Sequence, residues 1–431
     1  MALLTAARER DAAVEAPAAP PAPALPAPAA AALTAYAQVL LSDRRAVGAL
    51  LLLATLQSPR VGLHGLAAVA LGQALVRLLA LGEAAAAHGR YGYNPLLVGL
   101  AVGALFEPGA GAAALLALAV LAVVLLEAAA ESLLGGLLGL PLLSLPFVLV
   151  TWLALAAAPF LGITAPSAPA LLPAAAPAWL PGPAALWLRS LGALFFVPTA
   201  GAGALVLLAL LVHSRIATAL AALGLAVAWL LSAHVFTFAS DGALLVLSAN
   251  AALAAVALGG VWFVPQPSAF LLAGLAAALT GLGTAGALAL LRPTGLPVLF
   301  LPFNVTLLVT LLAFRQRVRD GAPKAVDFAA GAPEANLAYY RTRVARFGPG
   351  GAVRLALPFS GRWVVTQGVD GAHTHRGLWR HGLDFEVEDA GGSRHAGDGS
   401  ALTHHRCYRL PVLAAADGTV VKVVDDVPDN V

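Results

Sequence analysis

From Ala37 to Phe314 the chain shows almost no alternation between apolar and polar positions. Stretches such as AAALLALAVLAVVLLEAAA (Ala112–Ala130) are apolar on every side of a helix. An amphipathic helix would place polar residues every third or fourth position, and a half-buried strand every second. Runs of about 20 apolar residues match the hydrocarbon thickness of a bilayer. The pattern predicts roughly ten spanning or re-entrant segments between Ala46 and Phe314. A soluble protein with a very large core would need the periodicity that these runs lack.

Polarity returns abruptly at Arg315, Arg317, Arg319 and Lys324. A helix is expected over Asn336–Arg346, where apolar and polar positions alternate with helical spacing. From Gly351 the pattern changes to short β-like runs separated by Gly- and Asp-rich turns: Val353–Leu357, Trp363–Gln367, Leu383–Val387, Val412–Ala415 and Thr419–Val424. At the other end, Pro17–Ala32 is Ala/Pro low complexity, read as a disordered tail or semi-rigid spacer. Arg8, Glu9, Arg10 and Asp11 break up what would otherwise be a signal-peptide core.

The apolar body repeats itself. GLPLLSLPF (Gly139–Phe147) is matched by GLPVLFLPF (Gly295–Phe303), with Pro146 and Pro302 lying 156 positions apart. GYNPLLVGLAVGALF (Gly92–Phe106) is matched by SANAALAAVALGGVW (Ser248–Trp262), and Asn94 and Asn250 are again 156 apart. Gln38–Arg60 aligns with Ala193–Arg215, which sets Gly48 against Gly203 at 155. Asn and Pro are not the abundant residues of this body, so three matches in one order at a nearly constant offset point to internal duplication. Ser42–Gly48, Pro141–Pro146, Pro198–Gly203 and Pro297–Pro302 interrupt the apolar runs at matched places. Such breaks are tolerated at membrane depth where protein or a watery cavity satisfies the freed backbone, which is how transporters build pathways.

Composition agrees with the pattern. Of 431 residues 60% are hydrophobic and only 11% charged, with mean hydropathy +0.85. Soluble domains carry about a quarter charged residues, so lipid must cover much of this surface. The net charge of +3 gives no reason to expect nucleic acid as a partner. Cys407 is the single cysteine, which excludes a disulfide framework and any multi-Cys metal site. Glu127 and Glu131 sit one helical turn apart inside an apolar run. A carboxylate near the bilayer centre costs about 2.5–3.5 kcal/mol on insertion scales, so Glu127 should face protein or water. It reads either as a pathway or proton-linked residue or, the reading preferred for a neutral solute, as a structural partner of a group such as Arg77. Asn94 and Asn250 are expected to bond local backbone at a helix break.

GYNPLLVGL, LSANAALAAVALGG, the two LPF elements and YAQVLLSDRRAVGALLLL (Tyr36–Leu53) resemble urea transporters, over about residues 36–314. The resemblance implies an all-α polytopic membrane protein with two homologous halves. Each half would hold about five spans plus re-entrant half-helices, arranged as an inverted repeat. It further implies a homotrimer in lipid, multi-pass in the cell (inner) membrane, passing urea down its gradient with no cofactor. Urea is flat and neutral, with one carbonyl and four N–H donors, so a selective pore needs acceptors along one edge and flat apolar walls. By similarity Gln38 contacts urea, and Leu41, Leu97, Phe196 and Leu253 are wall candidates; for these side chains ordinary core packing is the alternative. The partner of Gln38 across the repeat is Ala193, and Phe300 stands opposite Ser144. That asymmetry keeps a second solute in view, another small neutral amide or ammonia.

A second resemblance lies in the polar tail. Leu357–Val387 followed by Leu410–Asp426 looks like the start of a lysostaphin-like zinc endopeptidase domain, a small β-rich unit. Its implied zinc ligands fall on His375 and Asp384. The H-x-H element that would complete the site does not follow before Val431, while His395, His404 and His405 precede the expected place. A metal-free appendage is therefore expected rather than an enzyme, with a membrane-anchored zinc metallopeptidase as the alternative. The basic cluster Arg315–Lys324 predicts a cytoplasmic C-terminal side. The domains read as a tail 1–35, repeats 36–170 and 171–315, a linker with a short helix 316–350, and a partial β domain 351–431.

Overall fold

In the computed structural model the described residues are 27–81, 91–163, 177–238, 240–318, 321–327, 329, 331–348, 355–416, 418–420 and 423. Most of the expected N-terminal tail, and part of the last expected strand, lie outside them. The chain divides into a unit up to Thr342 and a second from Arg343.

The first unit is helical. Its first half holds α1 (Ala27–Gln38), α2 (Arg45–Leu56), α3 (Pro59–Leu78), α4 (Tyr93–Leu105), α5 (Ala110–Ala130, continued by a π turn to Leu137) and α6 (Leu145–Ala157). The second half holds α7 (Gly182–Ala193), α8 (Ala200–His213), α9 (Arg215–His234), α10 (Asp241–Val256), α11 (Pro267–Leu291) and α12 (Leu301–Arg315). Among the described residues, five helical segments are long and apolar enough to cross a membrane: Pro59–Leu78, Ala110–Leu137, Arg215–His234, Asp241–Val261 and Pro267–Thr294. Five shorter apolar helices complete the set, among them α2, α4 and α8. The helices start where chemistry favours it: Thr199, Ser214 and Ser240 accept the N–H of the third residue on, capping α8, α9 and α10.

The most buried helices are the two that carry the Asn motifs. From Asn94 to Ala104 every residue of α4 is buried, and from Leu247 to Val256 every residue of α10. Glycines let their neighbours approach. A Cβ on Gly48 would sit 1.8 Å from the Leu33 carbonyl oxygen, and one on Gly203 would sit 1.7 Å from that of Leu188. Only glycine permits those contacts between α1 and α2 and between α7 and α8, and the pairs again stand 155 positions apart.

Helices α2 and α8 pack side by side and run antiparallel. Arg44, at the start of α2, donates to the Val212 carbonyl near the end of α8 at 2.8 Å. Thr199, at the start of α8, donates to Gln57, just past the end of α2, at 3.2 Å. At the Arg44 end several basic residues gather. Glu334 of α13 (Pro333–Phe347) accepts from the Ile216 N–H at 3.0 Å, and Asn336 donates to the Gly260 carbonyl at 3.0 Å. Val264 N–H donates to Lys324, Val326 N–H to Trp262, and Phe263 packs on Phe314. Lys324, Val326, Glu334 and Asn336 are thus bonded to the helical unit. Helix α13 begins at Pro333, three residues before the expected start, because Pro and Glu334 suit a first helical turn.

The second unit holds a two-stranded antiparallel sheet, β1 (Val364–Gln367) with β2 (Asp384–Glu386). Both fall inside expected strands. Val412–Ala415 is not a strand. It makes two cross-links, from Ala356 N–H to the Ala415 carbonyl and from Leu413 N–H to the Pro358 carbonyl, too few for a continuous ladder. Phe359 stacks on Trp363 at 4.4 Å and meets Phe385 edge-on at 4.8 Å, which forms the small apolar centre of this unit.

Candidate functional site

The helical unit contains four non-glycine residues in the left-handed backbone region at matched places. Leu41 (φ 58°) pairs with Phe196 (φ 60°), 155 positions on, and Leu143 (φ 55°) with Leu299 (φ 52°), 156 on. Side-chained residues pay about 1–3 kcal/mol each for this conformation, and such outliers gather at functional sites. The bonding around each pair is the same. Leu41 N–H donates to the Gln38 carbonyl and Ser42 N–H to that of Ala37; Phe196 N–H donates to Ala193 and Val197 N–H to Gly192. Each is a left-handed helix stop of the kind glycine usually makes.

Two asparagines lock the other pair. Asn94 donates to the Leu143 carbonyl at 3.2 Å and accepts from the Phe147 N–H at 3.3 Å. Asn250 donates to the Leu299 carbonyl at 2.8 Å and accepts from the Phe303 N–H at 3.0 Å. The expectation of local bonding is corrected here. Apart from contacts of Asn250 to Val246 and of Asn94 to the Glu127 carboxylate, these amides satisfy backbone 49 and 53 residues away. The halves then meet at Ser144 and Asn304. Ser144 N–H donates to the Asn304 side chain at 3.1 Å, and the Asn304 amide donates back to the Ser144 hydroxyl at 2.9 Å. Tyr93 shares a further hydrogen bond with Ser144.

The apolar surroundings are unequal. Phe147 contacts both Phe196 and Phe300, at centroid distances of 6.1 and 6.0 Å, in a buried aromatic cluster. Around Leu41 there is instead a small cavity, lined by Leu40, Leu41, Leu191, Leu194, Leu253 and Val256 among others. Of the five candidate contact residues, the structure brings Leu41 and Leu253 together on that cavity. Phe196 joins the aromatic cluster, Leu97 is fully buried in α4, and Gln38 is part-buried as the last residue of α1. Sequence reasoning missed Phe147, Asn304 and Tyr93 as members of this centre. Asn304, directly after the second LPF, was the available signal: a polar side chain in an apolar run.

Glu127 is 4% exposed and accepts from the Asn94 amide at 3.0 Å. Arg77, the expected partner, is exposed, so the pairing that forms is with an amide.

In the second unit His375 and Asp384 come together, with Nε2 3.1 Å from Oδ1. The ring's Nδ1 lies 2.7 Å from the Gly368 carbonyl, the contact that orients many metal-binding imidazoles. Gln367 meanwhile donates to the other Asp384 oxygen at 2.7 Å. Among the described residues no group of three His, Cys, Asp or Glu side chains is placed to hold a metal. His404 pairs with Asp398, and His395 lies against His405. A structural or catalytic zinc takes at least three protein ligands, so the pair alone does not make a complete site.

The family model described as Urea transporter matches residues 29–315, about two-thirds of the chain. No curated protein matches it.

Proposed function

The chain belongs to the urea transporter family, and from that premise we propose that residues 29–315 form a passive channel conducting urea down its gradient. One observation carries the reading: the two matched pairs of chain breaks, Leu41 with Phe196 and Leu143 with Leu299, the second of them held by Asn94 and Asn250. Helices that stop at membrane depth leave backbone carbonyls without helical partners, and these are acceptors for the N–H edge of urea. The aromatic cluster and the leucine-lined cavity supply flat apolar faces. Repeat-equivalent helices α2 and α8 run antiparallel, which supports an inverted repeat whose half-helices α1 and α7 are re-entrant.

The reading includes orientation and assembly. Arg44, Arg45, Arg215, Arg315, Arg317 and Lys324 belong to segments at the end of the unit that carries α13. By the positive-inside rule that end is cytoplasmic, in the cell (inner) membrane. The functional assembly proposed is a homotrimer with one pore per protomer. A passive channel needs no driving ion. Urea uptake into proteoliposomes should therefore be the same with and without an imposed proton or sodium gradient, and uptake that requires either gradient would refute the passive mode. Ala193, opposite Gln38, favours one further reading, in which another small neutral amide or ammonia passes as well. Flux competition between urea and its analogues separates the two.

For the second unit, the orientation of His375 by Gly368 supports His375 and Asp384 as two ligands of a zinc site completed from elsewhere. Equilibrium dialysis tests this: retained zinc that His375→Ala abolishes would support it, and no retention above buffer would end it.

A further inference from the structure

We propose that Glu127 is a positioning residue for the first half's chain break, holding Asn94 and through it the Leu143 carbonyl and the Phe147 N–H. The proposal rests on the channel reading above. Its basis is a difference between the halves. Both asparagines make the same two contacts to the break. Asn250 spends its second N–H on the Val246 carbonyl of its own helix at 2.8 Å. Asn94 spends its second N–H on the Glu127 carboxylate of α5 at 3.0 Å. The Asn250 amide is thus anchored on its own helix, whereas the Asn94 amide is tied to a side chain from another helix.

At the repeat offset of 156 the position matching Glu127 in α11 is Gly283, and the buried polar residue beside it is Thr284. Its hydroxyl donates to the Thr280 carbonyl of the same helix at 2.8 Å. A carboxyl at this depth is costly, and one of its oxygens, Oε2, is buried without a hydrogen-bond partner. A residue kept only to fill space between α4 and α5 would be apolar. Glu127 does what an apolar residue cannot: it supplies the acceptor that fixes the rotation of the Asn94 amide. That rotation decides whether the amide oxygen or nitrogen faces Leu143 and Phe147. Tyr93 and Glu131 are the titratable groups acting on the same spot.

The test uses the full chain in proteoliposomes, with variants Glu127→Gln, Glu127→Met, Asn94→Ala, the Met/Ala double variant and Thr284→Val. Gln keeps an oxygen for the Asn94 N–H and should retain urea permeability. Met, of similar length and apolar, should lower it about fivefold, the worth of one net hydrogen bond. The loss should not deepen when Met is combined with Asn94→Ala, and Thr284→Val should leave permeability unchanged. Amide exchange at Phe147, measured on the same samples, should speed up in Met and not in Gln. This second readout addresses the Asn94 lock even if the wild-type chain proves no more permeable to urea than empty vesicles, which would sink the channel reading alone. Gln as damaging as Met, or losses from Met and Asn94→Ala that multiply, would overturn the proposal. So would unchanged exchange at Phe147 in Met.

Discussion

The side-chain amide of Asn250 donates to the main-chain carbonyl of Leu299 at 2.8 Å, 49 residues further along the chain. Asn94 does the same for Leu143, so one bond made twice fixes where the apolar chain stops being helical. Replacing Asn250 by Ala removes the partners of the Leu299 carbonyl and the Phe303 N–H. Each buried group left unpaired costs about 1–3 kcal/mol. Asn250→Ala should lower the thermal unfolding midpoint in detergent and reduce urea flux. Equal midpoints for Asn250→Ala and wild type would contradict the lock.

Gly48 and Gly203 should fail in parallel. A methyl group on either would overlap a carbonyl oxygen at under 2 Å, which side-chain motion cannot relieve. Gly48→Ala and Gly203→Ala should each destabilise by about 3 kcal/mol. Gly274→Ala, in α11 with open space around it, should be neutral. Size-exclusion profiles of the purified variants check this, and a tolerated Gly203→Ala would mean that α7 and α8 are not so close.

The seat of α13 should depend on pH. Partial burial works against the charge on Glu334, but hydrogen bonds from Ser214 and from the Ile216 and Arg215 backbone outweigh it and hold its carboxyl below the ordinary range. A depressed carboxyl stabilises the docked state above its undocked value. That contribution fades as the pH falls from the ordinary carboxylate range through the lowered docked value. Proteolysis within residues 331–342 should therefore rise on acidification, and Glu334→Gln should start high and respond little. A wild-type cleavage rate that stays flat from neutral pH to pH values near 3 would count against this seat.

Phe196 meets Phe147 edge-on beside the breaks, with ring centroids 6.1 Å apart. Removing the Phe196 ring should admit bulkier solutes, since a site of this kind discriminates by about tenfold or more per carbon. In Phe196→Ala the permeability to N-methylurea should rise relative to that of urea. An unchanged ratio would place the ring away from the pathway.

Much of this architecture was legible because Asn, Pro and Gly stand out against Ala and Leu. The offset shared by Asn94, Gly48 and Pro146 with Asn250, Gly203 and Pro302 is the same offset at which the backbone geometry recurs. What could not be read was conformation without a marker. Leu41 and Phe196 occupy a region where glycine is the usual signal, and nothing in their side chains announces it. The Ser144–Asn304 link joins residues 160 apart, a distance that no periodicity reports. Arg77 was the natural partner for Glu127 by charge, yet Asn94 lay nearer in the fold, and a buried amide needs a partner as much as a carboxylate does. In the second unit, strand-like composition at Val412–Ala415 met too few partners to form a ladder.

The central claim, that residues 29–315 form a urea-conducting channel, is tested most directly by stopped-flow light scattering of vesicles facing an inward urea gradient. Vesicles holding the full chain should shrink and then re-swell faster than protein-free vesicles of the same lipid. Gln38→Phe, which fills the mouth of the first half, should return the rate toward the protein-free value. Re-swelling of wild-type vesicles no faster than that of protein-free ones would contradict the account.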